Sequence, residues 1–171
     1  MTPISFKVPK EGLEVDILVE NLGRINCTKN MIGDYKGFVR LNQGGRWKSG
    51  WTCYSLPLKS EDLDHFDYTL VAKENRPAIY KGSFEAIPGV DTFINPDGWK
   101  KGCIFINGFN IGRYWNVGPQ GTLYIPGELI KEKNTVHIFE LHSPNPERTL
   151  YCDDKPSLDT IELDGTRELG I

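Results

Sequence analysis

The sequence predicts an all-β sandwich of about eight to nine short antiparallel strands. Three observations carry that expectation. Short apolar or alternating runs recur along the chain at about ten-residue spacing, with turn residues between them. The 171 residues include 18 Gly and 11 Pro, which suits short strands joined by loops better than long helices. Between Cys103 and Trp115 the chain also carries Asn107-Gly108, the strongest short-range hairpin signal, because a type I′ turn needs φ > 0 at both central residues.

The elements follow in order. Leu13–Glu20 (LEVDILVE) alternates, with Leu13, Val15, Ile17 and Val19 on one face, and reads as a half-buried strand ended by Asn21-Leu22-Gly23. Gly37–Leu41 reads as a short strand before the Gly44-Gly45 turn, and Trp51–Leu58 as another, closed by Pro57. Residues 59–67 form the one plausible helical turn of the first half, or a surface loop. Tyr68–Ala72 and Ala78–Ala86 read as strands around the break at Asn75-Arg76-Pro77. Asp91–Ile94 follows. Then comes an aromatic three-strand meander from Trp99 to Pro126, with strands at Cys103–Ile106, Phe109–Trp115 and Thr122–Ile125, in which Tyr114 and Trp115 are expected to be buried. Gly127–Lys133 is a short amphipathic turn. Thr135–Leu141 looks buried on both faces, and one more short strand is expected near Thr160–Leu163.

Composition excludes several classes. A net charge of -3 with dispersed Lys and Arg argues against nucleic acid as a main partner. No apolar run approaches the roughly twenty residues of a membrane-spanning helix, so no membrane partner is expected. Met1-Thr-Pro-Ile-Ser-Phe-Lys lacks the basic start and apolar core of a signal peptide, and the compartment is left open. Cys27, Cys53, Cys103 and Cys152 form no CxxC pair, so they read as buried or free thiols rather than zinc ligands. The acidic pairs Asp62/Asp64 and Asp153-Asp154 match no calcium loop and read as solvated surface. No metal and no cofactor are predicted.

The run DTFINPDGWKKGCIFINGFNIGRYWNVGPQGTLYIPGELI (Asp91–Ile130), with LEVDILVENLGRIN (Leu13–Asn26), GWTCYSLPL (Gly50–Leu58) and PAIYKGSFE (Pro77–Glu85), closely resembles the C-terminal β region of the β-galactosidases of glycoside hydrolase family thirty-five. The four stretches occur in the family's order. The resemblance implies a jelly-roll, galactose-binding-domain-like fold and a position after a catalytic (β/α)₈ barrel. It divides the chain into residues 1–36, the end of a preceding β domain that contributes a strand; residues 37–142, the jelly-roll sandwich; and residues 143–171, a partly irregular extension. The start at Met1 would then fall inside the preceding domain.

The resemblance also bears on chemistry. Retaining glycosidases need two carboxyl groups about 5–5.5 Å apart, and in this family both are glutamates at barrel strand ends, one following an Asn. This chain has no Asn-Glu dipeptide and no strand–helix alternation. Glu20, Glu85 and Glu140 read as solvent-facing strand carboxylates. His65, His137 and His142 lie in no nucleophile–base pattern, so no catalytic residue is assigned. The isolated chain is expected to be a non-catalytic domain of a β-galactosidase that acts on terminal β-galactosides. Its expected partner is the barrel of the same full-length chain. The alternative is an autonomous carbohydrate-binding module for galactose-containing glycans. Aromatic rings that stack on sugars and polar groups that fix hydroxyls make Trp47, Trp51, Arg24, Asn26, Arg113 and Trp115 the candidate ligand-binding residues. Arg24 and Asn26 match the family pattern. At the next position the family commonly places a Tyr near the active-site rim, and Cys27 here removes that stacking surface.

Overall fold

The computed structural model describes residues 5–21, 29–33, 37–38, 40–70, 76–142, 147 and 149–158. The chain divides into two compact units, Met1–Tyr54 and Ser55–Ile171.

In the first unit, a two-strand hairpin joins β1 (Asn42–Gln43) to β2 (Arg46–Trp47). Gly44 and Gly45 turn it at φ 56° and 81°, and Asn42 Oδ1 accepts from the Gly45 N–H at 2.9 Å. Lys29–Ile32 is a single 3₁₀ turn. Leu13–Glu20, expected to be a strand, lies in no strand among the described residues; Leu13, Ile17, Leu18 and Val19 are exposed. Alternation chooses a face, but a strand exists only when a neighbour takes its backbone N–H and C=O groups. The described residues of Gly37–Leu41 are also outside any strand, and pairing begins one residue later, at Asn42. Trp51–Leu58 is not a strand either. The Trp51 indole N–H donates back to the Lys48 carbonyl at 3.3 Å, Pro57 has no N–H to give, and Leu58 sits at φ 49°.

The second unit is the sandwich. One sheet has the order β3 (Ala78–Glu85), β8 (Lys133–Glu140), β5 (Lys101–Ile106), β6 (Phe109–Trp115), and the other β7 (Leu123–Ile125), β4 (Thr92–Asn95), β9 (Tyr151–Asp153). All of these pairings are antiparallel. The core between the sheets is Ile94, Trp99, Ile104, Ile106, Tyr114, Leu123, Ile125, Ile130, Val136 and Ile138. Each such side chain contributes about 1.5–3 kcal/mol on burial. The all-β reading therefore holds, with nine strands among the described residues.

The expected meander is corrected in one respect. β5 and β6 form the hairpin, with Asn107 at φ 51° and Gly108 at φ 83°, but β7 crosses to the other sheet and pairs with β4. A bulge at Ile111 and the positive φ of Gly112 (136°) bend β6 on the way. The Asn107 side chain fixes this hairpin to its neighbours. Its amide donates to the Leu129 carbonyl at 2.7 Å and to Asn134 Oδ1 at 2.8 Å, and its Oδ1 accepts from the Thr135 N–H at 3.0 Å.

Residues Ser60–His65 are a 3₁₀ turn, back-capped by Asp62 Oδ2, which accepts from the Lys59 N–H at 2.8 Å. Tyr68–Thr69 is a turn rather than the start of a strand. Asp67 Oδ1 accepts from both the Thr69 N–H and the Thr69 hydroxyl, an Asx-type bond that competes with strand pairing. The strand expected near Thr160–Leu163 and residues 71–72 lie outside the described residues.

Candidate functional site

A concavity lies at one end of the sandwich, where the β4–β5 loop faces the β6–β7 connection. It is a cleft of about 510 Å³, lined by the 95–100 loop, Tyr114, Trp115, Asn116, Gln120, Gly121 and Ser157. The loop builds itself. Asn95 Oδ1 accepts from the Asp97 N–H, Asp97 Oδ1 from the Gly98 N–H, and the Pro96 carbonyl from the Trp99 N–H, each at 2.9–3.0 Å. Asn95 also donates to Asp153 Oδ2 on β9 at 3.2 Å, tying the loop to its own sheet. The Asn116 N–H donates to the Lys100 carbonyl at 2.8 Å and joins the two walls. Buried Trp99 anchors the floor through its indole N–H, which donates to the Thr149 carbonyl at 2.7 Å, and through an edge-on contact with Tyr80.

Glu140 stands behind this floor and overturns its expected place. It is 0% exposed rather than solvent-facing. Its carboxylate accepts from the Lys100 N–H (2.8 Å), the Lys101 N–H (3.2 Å), the His142 N–H (2.9 Å) and the Tyr114 hydroxyl (3.1 Å). Four donors converge because β8 ends where β5 begins: Glu140 pairs with Gly102 across the sheet. Gly102 must be Gly there, since a Cβ would run into the Phe139 carbonyl oxygen. Burial, with the Glu140 charge beside it, holds the Tyr114 hydroxyl far above the usual phenol range, so it serves as a donor throughout the physiological range. Sequence patterning missed Glu140 because charge on an alternating strand ordinarily marks the solvent face.

The predicted ligand residues are scattered. Trp47 is exposed with the Arg40 guanidinium 4.1 Å over its ring, and Trp51 packs edge-on against Phe38; both belong to the first unit. Arg113 and Trp115 are exposed, two residues apart on β6 of the second unit. The expectation that Tyr114 and Trp115 are both buried holds only for Tyr114, at 3%. Trp115, on the opposite side of the pleat, is 44% exposed under the Lys101 ammonium, 4.3 Å from its ring. Arg24 and Asn26, with Cys27, lie outside the described residues. Of the six, only Trp115 lines the cleft. The cleft's other members, Asn95, Asp97, Asn116 and Gln120, were findable only as turn residues.

The remaining ionisable groups form no catalytic arrangement among the described residues. Glu85 is an exposed β3 side chain, and Glu20, half-buried, belongs to the first unit. His137 is 4% exposed, and neither of its ring nitrogens has a hydrogen-bond partner. Burial first, then the Lys81 charge, against the opposing pull of Asp64, pushes its pKa below the usual imidazole value and keeps it neutral. Among the described residues no three His, Cys, Asp or Glu side chains cluster to hold a metal ion. Cys53 and Cys152 are exposed free thiols, and Cys103 is a half-buried one. No helix among the described residues is long and apolar enough to cross a membrane.

Comparison with known proteins places this architecture. Residues 77–135, from the edge of β3 into β8, match the family described as the galactose-binding domain of β-galactosidase. Over 90% of its length the chain is 35% identical to a β-galactosidase of Bos taurus and 36% identical to one of Macaca fascicularis, and over 95% it is 34% identical to one of Mus musculus. It spans only 28%, 25% and 28% of those relatives. The chain is therefore similar to a segment of β-galactosidases, and its residues 77–135 match their galactose-binding domain.

Proposed function

We propose that the chain is the non-catalytic C-terminal β region of a larger retaining β-galactosidase, and that it packs against and braces the barrel that hydrolyses terminal β-galactosides. One observation carries this reading: the chain aligns over nine-tenths of its own length with β-galactosidases while spanning about a quarter of theirs. The chemistry of the described residues supports it. The most deeply buried carboxylate, Glu140, has its oxygens committed to four donors and cannot serve as an acid or a nucleophile without losing them. Leu13–Val19 alternates as a strand does but lies in no strand among the described residues, which supports residues 1–36 being the end of a preceding β domain.

The test is an assay of the purified chain on a chromogenic β-galactoside, beside the full-length enzyme and a full-length variant lacking residues 77–142. The chain alone turns over nothing, and the deletion abolishes activity or soluble expression. Turnover by the chain, or a fully active and equally stable deletion variant, overturns the proposal.

A further inference from the structure

His137 is buried where an imidazole has nothing to bond. Both ring nitrogens are sealed from water and have no hydrogen-bond partner, so the neutral ring already leaves a donor and an acceptor unmet. What seals it is a strap, residues 59–69, laid across the outer face of the four-stranded sheet. At one end Ser60 lies against the β5–β6 turn at Gly108. In the middle Leu63 is buried. At the other end the Tyr68 ring lies 5.7 Å from the imidazole, and its hydroxyl donates back to the Leu63 carbonyl at 2.6 Å.

The strap is held lightly. Among the described residues, one polar bond ties it to the sheet, from Lys81 Nζ on β3 to Asp64 Oδ1 at 3.4 Å, and both side chains reach solvent. The same ammonium lies 5.4 Å from the centre of the Tyr68 ring. The strap's other polar bonds are internal: Asp62 accepts from the Lys59 N–H, Lys59 pairs with Glu61, and Asp67 accepts from Thr69. Its apolar hold rests on Leu63 and half-buried Tyr68, since Phe66 is exposed. Leu58, where the chain enters the strap, sits at φ 49°, in the left-handed region that non-glycine residues disfavour. Such a segment can open without the sheet beneath it.

Protonation sets this pocket against the ring it encloses. An imidazolium needs acceptors for two N–H groups. From β3 it faces Lys81, a like charge; from β5 it faces Phe105, and along β8 its neighbours on the same face are Thr135 and Phe139, none of them ionisable. From the strap it faces Tyr68, whose hydroxyl is committed to Leu63, and Asp64, whose attraction is shared with Lys81. Water is the acceptor left, and water reaches the ring only when the strap moves. We propose that residues 59–69 are an acid-released strap: protonation of His137 lifts the Ser60–His65 turn and Tyr68 off the outer face of β8, uncovering Phe105 and the imidazole, while the core between the sheets stays folded. Val136, Ile138 and Glu140 point to the opposite face of β8 and keep their partners when the strap leaves. The device lies within the second unit and does not depend on the bracing role, which the chromogenic assay tests separately.

The experiment follows the isotopically labelled 171-residue chain from about pH 7.5 to about pH 5. It reads the His137 ring signals and amide exchange, with each exchange rate taken relative to the free-chain rate at the same pH. Protection of residues 61–65 falls about tenfold or more along the His137 titration, because the open state binds the proton more tightly. Residues 104–106 and 134–139 keep their protection. His137→Phe keeps the strap closed at the acid end, whereas His65→Gln, which changes the strap's own exposed histidine, releases it as the parent chain does. Leu63→Ala loosens the strap without touching the core between the sheets, and moves the His137 midpoint up toward the ordinary imidazole value of about 6.5. Strap protection that is unchanged across this range overturns the proposal. So do core amides that lose protection together with the strap, release that persists in His137→Phe or vanishes in His65→Gln, or a His137 midpoint unmoved in Leu63→Ala.

Discussion

Leu13–Glu20 alternates apolar and polar side chains and Lys133–Glu140 reads as buried on both faces, yet of the two only the second is a strand among the described residues. β8 lies between β3 and β5, so both of its backbone edges are paired, and both of its faces are covered. Val136, Ile138 and Glu140 face the core, while His137 faces outward under the Ser60–His65 turn, whose Leu63 is buried and whose flanking Tyr68 ring lies 5.7 Å from the imidazole. Leu13–Glu20 has the pattern but lies in no strand among the described residues. A periodicity states which side chains could share a face; pairing and cover decide whether that face exists.

The largest effect that separates the two regions is electrostatic. Glu140→Ala removes the acceptor of three backbone N–H groups and the Tyr114 hydroxyl, and should cost about 4 kcal/mol in denaturant unfolding. Glu14→Ala, exposed and outside any strand among the described residues, should change stability by less than about 0.5 kcal/mol. Comparable losses at the two positions would mean that Leu13–Glu20 is packed as β8 is.

Apolar truncation sharpens the same contrast. Ile138→Ala opens a cavity in the sandwich core and should cost about 3 kcal/mol, whereas Ile17→Ala should again stay within about 0.5 kcal/mol. Amide hydrogen exchange gives an independent reading: residues 133–140 should be protected to near the global unfolding limit, and residues 13–19 should exchange at close to free-chain rates.

A third comparison concerns what fixes β8 to its neighbours. Asn107→Gly keeps the positive φ of the turn but loses the bonds to Leu129, Asn134 and Thr135; Asn107→Ala loses the bonds and also strains the backbone. We expect about 2 kcal/mol for Gly and about 1 kcal/mol more for Ala, measured by urea unfolding. Equal losses would show that turn conformation contributes nothing.

These contrasts also explain what the sequence could and could not convey. The Asn107-Gly108 hairpin, the apolar runs of β5 and β8, and β3 were legible because each local signal agrees with its tertiary setting. The passage of β7 into the second sheet was not, because Leu123–Ile125 reads the same beside β6 as beside β4. The cleft was legible only in part. Trp115 stood out as an aromatic, but Asn95, Asp97, Asn116 and Gln120 are ordinary loop residues until the fold brings two connections together. Glu140 was invisible for the opposite reason: its four donors come from three separate parts of the chain, none of which marks a charge for burial.

The smallest expected effect lies on the outward side of the same strand. His137 faces Lys81 of β3, Asp64 and Tyr68 of the covering segment, and Phe105 of β5. Lys81 also bonds Asp64 at 3.4 Å, so its charge is partly offset where it meets the imidazole. Because the folded pKa lies below the unfolded value of about 6.5, the unfolded chain binds the proton first as pH falls. The stabilisation is complete above that unfolded value, is lost as pH drops through it toward the folded pKa, and levels off below. The melting temperature of the second unit should therefore fall by a few degrees between about pH 7.5 and about pH 5, on top of any slope from other groups. His137→Phe, which keeps a ring under Tyr68 without a titrating nitrogen, should remove that part of the slope. Leu13–Glu20 contains no histidine, so substitutions there should leave that part of the slope intact. If His137→Phe melts with the same pH dependence as the parent chain, the imidazole is not sealed by the Ser60–His65 turn, and the covered outer face that distinguishes β8 from Leu13–Glu20 is open to water.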